Sequence, residues 1–187
     1  MKIHTLRIEG LLLIEPEIYS DERGYFLELF NQQKFEGLNL PASFCQDNLS
    51  VSKKNVIRGL HFQESPFAQG KLVRVIKGAV LDVAVDLRME SPSFGKHESV
   101  LLSSSNNHIL WIPPGFAHGF AVFEDDTIFH YKCTSNYHKA SESGIRFDDR
   151  DLAIDWKITD PLVSEKDLGL ISFADYKRKS GKKTTTI

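Results

Sequence analysis

Short strand-like segments, separated by turn residues, fill the middle of this chain. From residue 79 to residue 88, apolar and polar side chains alternate with a period of two, interrupted only at Val80 and Ala84. Further segments of this kind are Glu98–Ser103, His108–Ile112, Gly119–Phe123 and Thr127–Cys133. Turn-forming proline, glycine, asparagine and aspartate residues lie between them. Strands repeated at such short intervals, with almost no helical periodicity, predict an antiparallel β sandwich or barrel and argue against a doubly wound sheet.

Helices are predicted only near the ends of the chain. A short helix fits residues 31–38, and Ser164 followed three positions later by Asp167 resembles the N-terminal capping pattern of another. The length of 187 residues, without internal repeats or an interior linker, predicts a single domain over residues 1–176. Residues 177–187 have almost no apolar side chains and are predicted to form a disordered basic tail.

Charge and composition exclude several classes of protein. The formal net charge is −2 and the tail contributes +5, which leaves −7 on the rest of the chain and argues against a nucleic-acid-binding surface. No apolar stretch approaches the roughly 20 residues of a membrane span, and the N-terminal residues lack the pattern of a secretory signal. We expect Cys45 and Cys133 to be buried free thiols in a reducing compartment and the protein to be cytoplasmic.

The segment from Arg58 to Lys77 carries the strongest indication of chemistry. It places His61 and Lys71 ten positions apart, each on a predicted strand, with residues between them that can turn the chain. A base and a cation brought together in this way suit a reaction in which a proton leaves carbon and an oxyanion forms beside it. From the spacing alone, His61 can be a base, a metal ligand or a packed ring.

A second histidine bears on the metal question. His118 ends the segment Pro-Pro-Gly-Phe-Ala-His, which fits the Pro-x-Gly-x-x-His motif of the cupin fold. In cupins that bind iron, zinc or manganese, the partner motif supplies a His-x-His pair and a glutamate, but Gln63 stands here at the position of the second histidine. A neutral amide is a poor ligand for transition metals, so we predict no metal. His61, Glu64 and His118 would be the ligands of a partial site.

Strand parity brings a tyrosine toward the predicted interior. Thr127, Phe129, Tyr131 and Cys133 share one face of their strand. The phenol of Tyr131 can therefore lie inside the barrel, where it either exchanges protons or packs with its hydroxyl bonded locally. The sequence leaves both roles open.

These residues belong to a longer set of motifs. Its other members are Arg23-Gly-Tyr-Phe26, Gln46-Asp-Asn48, Gln69-Gly-Lys71 and Ser164-Glu-Lys-Asp167. From about Leu6 to Phe173, the chain closely resembles the dTDP-4-dehydrorhamnose 3,5-epimerases. The resemblance implies a metal-free, cupin-like jelly roll, mainly β with short peripheral helices. It also implies a homodimer in which an N-terminal strand reaches into the partner's sheet.

The resemblance implies a reaction as well. The family converts dTDP-4-dehydro-6-deoxy-D-glucose into dTDP-4-dehydro-L-rhamnose by inverting the two carbons that flank a ketone. By position, His61 would remove the protons at C3 and C5, and Asp167 would pair with its imidazole. Lys71 would stabilise the enolate oxygen at C4. Tyr131 would return a proton from the opposite face, because a group on one side can only restore the original configuration.

Other positions would bind the substrate if the resemblance holds. They are Arg23, Glu28, Gln46, Asn48, Arg58, Lys71, His118, Glu142 and Lys166. Arginine suits the diphosphate because its planar fork of donors matches phosphate oxygens. Strand parity places Arg58 opposite His61 unless the chain kinks at Gly59, and Asp167 has helix capping as an alternative role. His138 stands where relatives commonly carry an aromatic pair, so it is expected to alter nucleotide stacking.

Other functions remain compatible with the same scaffold. They are a single-site epimerase acting at C3 or C5, a 3,4-ketoisomerase, a non-catalytic sugar-nucleotide-binding cupin and a metal-dependent cupin oxygenase. Retention of His61 and Tyr131 favours epimerisation, because an isomerase must also move a proton between neighbouring oxygens. A protein that only binds is expected to lack His61, Lys71 or Tyr131, and the chain has all three. We therefore predict a double epimerase without a cofactor.

Overall fold

The computed structural model describes residues 1–183, most of which lie in or between two antiparallel sheets. In spatial order, the first sheet contains β1 (Lys2–Thr5), β2 (Leu12–Glu15), β10 (Ile109–Ile112), β7 (Lys71–Lys77), β12 (Thr127–Cys133) and β5 (Gln46–Ser52). The second contains β13 (Glu142–Gly144), β6 (Ile57–Gln63), β11 (Phe116–Val122), β8 (Ala79–Asp86) and β9 (His97–Ser103). A separate hairpin pairs β3 (Ile18–Asp21) with β4 (Gly24–Leu27). The predicted antiparallel β architecture is confirmed.

The main core fills the space between the two sheets. Val73 on β7 and Phe129 on β12 belong to one buried cluster with Val80 on β8 and Phe120 on β11. The rings of Phe120 and Phe129 stack across the sheets with their centroids 4.1 Å apart. A pair of this kind adds about 0.5–1.5 kcal/mol to the stabilisation from burial alone. The two sheets are therefore joined by direct apolar contact next to the strands that carry the predicted site.

Strand β8 of the second sheet is buried on both faces. On β8, Val83 and Val85 pack in a second cluster with Trp156 and Phe173 from the C-terminal part of the chain. Asp82, on the other face, is fully buried and points toward the space between the sheets. The alternation predicted strand β8 correctly. However, the face that carries Val83 and Val85 packs against the C-terminal part of the chain, and the face that carries the Asp82 carboxylate is turned toward the space between the sheets.

One strand begins earlier than predicted. β11 starts at Phe116, whereas the sequence pattern predicted that this strand begins at Gly119. Every residue from Phe116 to Val122 is buried and pairs with β8. His118 therefore lies in the middle of a strand, directly after the Pro113–Gly115 turn, and its side chain is held by sheet geometry on both sides.

Within the described part of the chain, three α-helices accompany the sheets: α1 (Gln32–Gly37), α2 (Glu165–Leu168) and α3 (Phe173–Lys183), with a short 3-10 helix at Lys139–Ser141. Asn31 caps α1 by accepting a hydrogen bond from the backbone of Lys34. Ser164 caps α2 by accepting one from the backbone of Asp167, as the sequence predicted. None of the helices within residues 1–183 is long and apolar enough to span a bilayer.

The prediction of a disordered tail from residue 177 is wrong for residues 177–183, because these residues continue α3. The helix is anchored at its start, where Phe173 is buried and Asp149 accepts a hydrogen bond of 2.8 Å from the Phe173 backbone. Tertiary packing of this kind stabilises helices whose own composition is weakly apolar. The remainder of the predicted tail, residues 184–187, lies outside the described residues.

Candidate active site

A cavity of about 380 Å³ opens between the two sheets. Strands β5, β7 and β12 contribute one wall, β6 and β11 the facing wall, and α2 lies at the edge. The predicted residues that line it are Asn48, Arg58, His61, Lys71, His118, Tyr131, Lys166 and Asp167. The fold thus brings to one place side chains that are up to 119 positions apart in the sequence.

Asp167 holds the ring of His61. The Nε2 atom of His61 lies 2.7 Å from Oδ1 of Asp167, and the backbone of Gly59 donates to Oδ2 at 3.2 Å. Burial alone would raise the pKa of Asp167, but the hydrogen bonds and charge of His61, with the Gly59 and Ser164 hydrogen bonds, outweigh it and lower that pKa. The carboxylate therefore stays ionised beside the imidazole. Capping of α2 involves the Ser164 hydroxyl, so the Asp167 side chain is available to pair with His61.

A kink at Gly59 brings Arg58 into the cavity. Gly59 has φ +120°, and the β6–β11 register shifts between the pairs His118–His61 and Phe120–Arg58. A Cβ atom at position 59 would lie 2.5 Å from Cα of Gly119, so only glycine fits this close approach of two backbones. Both Arg58 and His61 consequently line the cavity, which regular strand parity would forbid.

Lys71 and Tyr131 occupy the wall that faces His61. The Nζ atom of Lys71 lies 5.9 Å from the ring centroid of Tyr131. Burial lowers the pKa of the Lys71 ammonium, a shift that nearby Cys133 and acidic groups only partly oppose. Burial also raises the pKa of Tyr131, so its phenol keeps its proton at neutral pH. The cavity therefore offers an imidazole on one sheet and a protonated phenol on the other.

The second histidine has its own carboxylate partner, which was not predicted from the sequence. Nε2 of His118 lies 2.9 Å from Oδ2 of Asp82, and both residues are buried. Burial lowers the pKa of His118 despite the opposing charge of Asp82, so the imidazole is held neutral. His118 is also the cross-strand partner of His61. The only sequence signal for Asp82 was an acidic residue inside a strongly apolar strand.

The two histidines that a partial metal site would use, and the neighbouring Gln63, are engaged with other partners. His61 pairs with Asp167, His118 pairs with Asp82, and the Gln63 amide donates to the backbone oxygen of Phe67 at 2.6 Å. Across residues 1–183, no group of three or more histidine, cysteine, aspartate or glutamate side chains has the spacing of a metal site.

A chain of hydrogen bonds runs along the rim of the cavity. Gln46 donates to Asn48 at 2.9 Å and accepts from the backbone N–H of Tyr137 at 2.7 Å. The Tyr137 hydroxyl donates to Glu142 at 2.9 Å, and Lys166 donates to the same carboxylate at 2.6 Å. Gln46 and Glu142 thus lie behind the cavity wall, each joined by a hydrogen bond to a residue that lines the cavity, Asn48 and Lys166 respectively. In the sequence, Tyr137 stands out only as the neighbour of His138.

The aromatic character of this rim comes from Tyr137. The His138 ring stacks on Phe67 with a centroid separation of 3.8 Å, and its Nδ1 atom lies 2.9 Å from the Ser141 hydroxyl. Tyr137, by contrast, leaves about half of its surface exposed. The His138 ring therefore packs within the loops, and the neighbouring tyrosine is the ring presented at the rim.

Besides Gln46 and Glu142, which lie behind the cavity wall, two further predicted residues do not line the cavity of their own chain. Arg23 lies in the β3–β4 hairpin, exposed and paired with Asp21. Glu28 follows that hairpin and pairs with Lys34 at 2.7 Å. Within one chain, the structure does not bring Arg23 or Glu28 together with His61.

Comparison with known proteins agrees with this geometry. The fold is that of the cupin-like jelly rolls, and its structural neighbours are carbohydrate epimerases. Residues 5–175 match the family model described as dTDP-4-dehydrorhamnose 3,5-epimerase, and the chain belongs to this family.

Individual relatives match over most of their length. The dTDP-4-dehydrorhamnose 3,5-epimerase of Escherichia coli is 53% identical over 169 residues, covering 89% of this chain and 91% of that protein. The crystal structure of the enzyme of the same name from Elizabethkingia anophelis has a TM-score of 0.90 at 46% identity, covering 94% and 97% of the two chains. The dTDP-6-deoxy-D-glucose-3,5-epimerase of Legionella pneumophila, solved in complex with dTDP-4-keto-L-rhamnose, has a TM-score of 0.88 at 47% identity, covering 91% and 92%.

The pairing of Asp167 with His61 predicts a pH-dependent contribution to stability. The pKa of Asp167 is lowered in the folded protein, so the contribution is present above the pKa of an unfolded aspartate, roughly 3.9, and is lost as the pH falls toward the folded value. We expect Asp167→Asn to lower the free energy of unfolding at neutral pH, and the difference to shrink below about pH 4. Urea unfolding across this range measures both proteins; a difference that stays constant or grows in acid would contradict the pairing.

Proposed function

We propose that this protein epimerises dTDP-4-dehydro-6-deoxy-D-glucose at C3 and C5 to give dTDP-4-dehydro-L-rhamnose, as a step of dTDP-L-rhamnose biosynthesis. The observation that carries the proposal is the placement of His61 and Tyr131 on facing walls of one cavity, with Lys71 beside the tyrosine. Inversion of a carbon needs removal of a proton on one face and its return on the other. Two groups on opposite sheets satisfy that requirement.

His61 acts in this proposal as the general base. Its Nε2 atom is hydrogen-bonded to Asp167, so the other ring nitrogen, Nδ1, is available to take the C3 and C5 protons. The ionised carboxylate orients the ring and stabilises the imidazolium that forms on proton transfer. The same histidine serves both carbons, because both lie next to the ketone and become acidic in the same way.

Lys71 stabilises the enolate. Loss of the proton next to the ketone moves negative charge to the C4 oxygen, and a cation there favours the transition state more than the ground state. The lowered pKa of Lys71 means that its proton is held less tightly and is readily shared with this oxyanion. Its burial strengthens the interaction, because water screens charges poorly inside the cavity.

Tyr131 returns a proton from the opposite face. Its raised pKa keeps the phenol protonated and able to donate when the enolate forms. The tyrosinate produced is close to Lys71, whose ammonium favours the anion until a proton from solvent restores the phenol.

The remaining polar residues hold the dTDP group and the sugar. Arg58 and Lys166 supply positive charge at the cavity wall for the diphosphate. Substrate-binding roles are also proposed for Gln46, Asn48, His118 and Glu142. The exposed ring of Tyr137 provides an aromatic surface for the nucleotide base.

We propose a homodimer that completes each site. The β3–β4 hairpin exposes Tyr19, Tyr25 and Phe26, and β5 exposes Leu49 and Val51 on its outer face. Large apolar side chains exposed together in this way are typical of an interface. Docking of the hairpin onto a second copy would carry Arg23 and Glu28 to the partner's cavity and add a second arginine for the diphosphate.

We also propose a cytoplasmic location. Cys45 and Cys133 are both free thiols, which fits a reducing compartment. The expectation that both are buried is wrong for Cys45, which is exposed, whereas Cys133 is buried.

The double epimerisation predicts isotope incorporation at two carbons. Incubation with dTDP-4-dehydro-6-deoxy-D-glucose in deuterated water should give an L-configured product with deuterium at both C3 and C5, because each carbon loses one proton and receives one from solvent. NMR and mass spectrometry of the product measure the label, and substrate without protein corrects for spontaneous exchange. Deuterium at one carbon alone would contradict the 3,5 assignment and identify a single-site epimerase; a ketone at C3 would identify an isomerase.

The proposed dimer predicts complementation between two impaired variants. Arg23→Ala and His61→Ala should each lose most activity as homodimers, because every site lacks one group. A heterodimer purified through two different tags has one site with both residues intact and should regain about half of the wild-type activity per dimer. Activity no higher than that of either homodimer would show that Arg23 does not act in the partner's site.

A further inference from the structure

Gln63 is a buried amide at the end of β6 that the proposed reaction does not use. It is 7% exposed, and its side chain makes hydrogen bonds only to backbone groups. The amide nitrogen donates to the Phe67 oxygen at 2.6 Å and to the Asn136 oxygen at 3.3 Å. The amide oxygen accepts from the His138 N–H at 2.8 Å. Three of the four bonds that a primary amide can make are thus formed inside the protein.

Two of these bonds flank a single residue. Asn136 and His138 are the immediate neighbours of Tyr137, so the Gln63 amide holds the backbone on either side of it. A donor and an acceptor on one rigid, planar group fix both the position and the direction of this short segment. The backbone of Tyr137 is directed toward Gln46, to which its N–H donates at 2.7 Å.

The segment held in this way reaches the rim of the cavity. The hydroxyl of Tyr137 donates to Glu142, which also binds Lys166 of the cavity wall. Gln46 in turn donates to Asn48, which lies two positions further along the same strand, β5, and lines the cavity. Tyr137 therefore links both sides of the rim, and its own backbone is positioned by Gln63.

We propose that Gln63 is a positioning residue for nucleotide binding, acting through Tyr137. The inference rests on the proposed function, because it takes the dTDP group as the ligand that contacts the rim. Gln63 does not touch the reacting carbons; it fixes Tyr137 and, through Tyr137, the Gln46 amide and the Glu142 carboxylate. Removal of the hydrogen bonds that the Gln63 amide makes on either side of Tyr137 should weaken nucleotide binding while leaving the proton-transfer residues in place.

A carboxylate at position 63 tests this role. Gln63→Glu has the same shape but replaces the two donated bonds with an oxygen that faces carbonyl oxygens. We expect dTDP to bind roughly five- to tenfold more weakly, because the segment around Tyr137 is no longer held in position before dTDP binds. This factor corresponds to the net free energy of about one hydrogen bond. The KM for the sugar nucleotide should rise similarly, with kcat within about twofold of wild type. Calorimetric titration with dTDP and steady-state kinetics measure the two effects.

A matched control separates this effect from general loosening of the loops. The Gln69 amide donates to the Ser135 oxygen at 2.7 Å and joins the same two loops without flanking Tyr137. Gln69→Glu should change the Kd for dTDP by less than about twofold, because no net hydrogen bond around Tyr137 is lost. Thermal unfolding checks that both variants are folded. If Gln63→Glu does not fold, Gln63→Met replaces it, since it removes the two donated bonds and the bond accepted from His138 without adding charge.

A double-mutant cycle decides whether Gln63 acts through Tyr137. Gln63→Glu should cause a smaller loss of dTDP affinity in a Tyr137→Ala background than in wild type, because the ring and hydroxyl of Tyr137 are then absent and only the backbone hydrogen bond to Gln46 remains to be disturbed. Equal losses in both backgrounds, or an equal loss with Gln69→Glu, would overturn the inference. If wild-type protein binds dTDP and exchanges the C3 and C5 protons but the cycle shows no coupling, only the role of Gln63 fails. If wild-type protein does not bind dTDP, the proposed function fails and this inference with it.

Discussion

The carboxylate of Asp167 is the interaction on which the arrangement of this site depends. It binds the imidazole of His61 and the backbone N–H of Gly59 at the same time, so it joins α2 to the kink in β6. The kink is what allows Arg58 to share the cavity with His61. One buried charge thus orients the proposed base and supports the backbone geometry that places the Arg58 cation in the same cavity. An ionised carboxylate can do this here because the hydrogen bonds and charge around it more than offset its burial.

Much of the fold could be predicted because strand periodicity is local. The segment Thr127–Cys133 is a strand with the predicted bounds, and its parity correctly placed Tyr131 with the inward-facing residues. The Ser164 cap was also visible, since a capping pattern needs only a few consecutive residues. The family motifs predicted that His61, Lys71 and Asp167 share one site, and all three line the same cavity.

The features that the sequence did not predict depend on contacts between distant segments. The Arg58 side chain shares the cavity only because Gly59 and Gly119 approach closely, which period-two parity does not represent. The burial of Asp82 was not predicted, because the C-terminal residues that bury the apolar side of β8 lie far along the chain. α3 extends past residue 177 on the strength of tertiary anchoring at Phe173.

The central claim is that His61 and Tyr131 act on opposite faces of the sugar. Its most direct test is proton exchange in deuterated water with Tyr131→Phe, compared with His61→Ala. If the claim is correct, Tyr131→Phe still washes deuterium into recovered substrate, because His61 removes and returns protons on its own side, while formation of inverted product falls steeply. His61→Ala should lose both exchange and product. Unimpaired inversion by Tyr131→Phe, or loss of exchange as complete as that of His61→Ala, would contradict the two-sided mechanism.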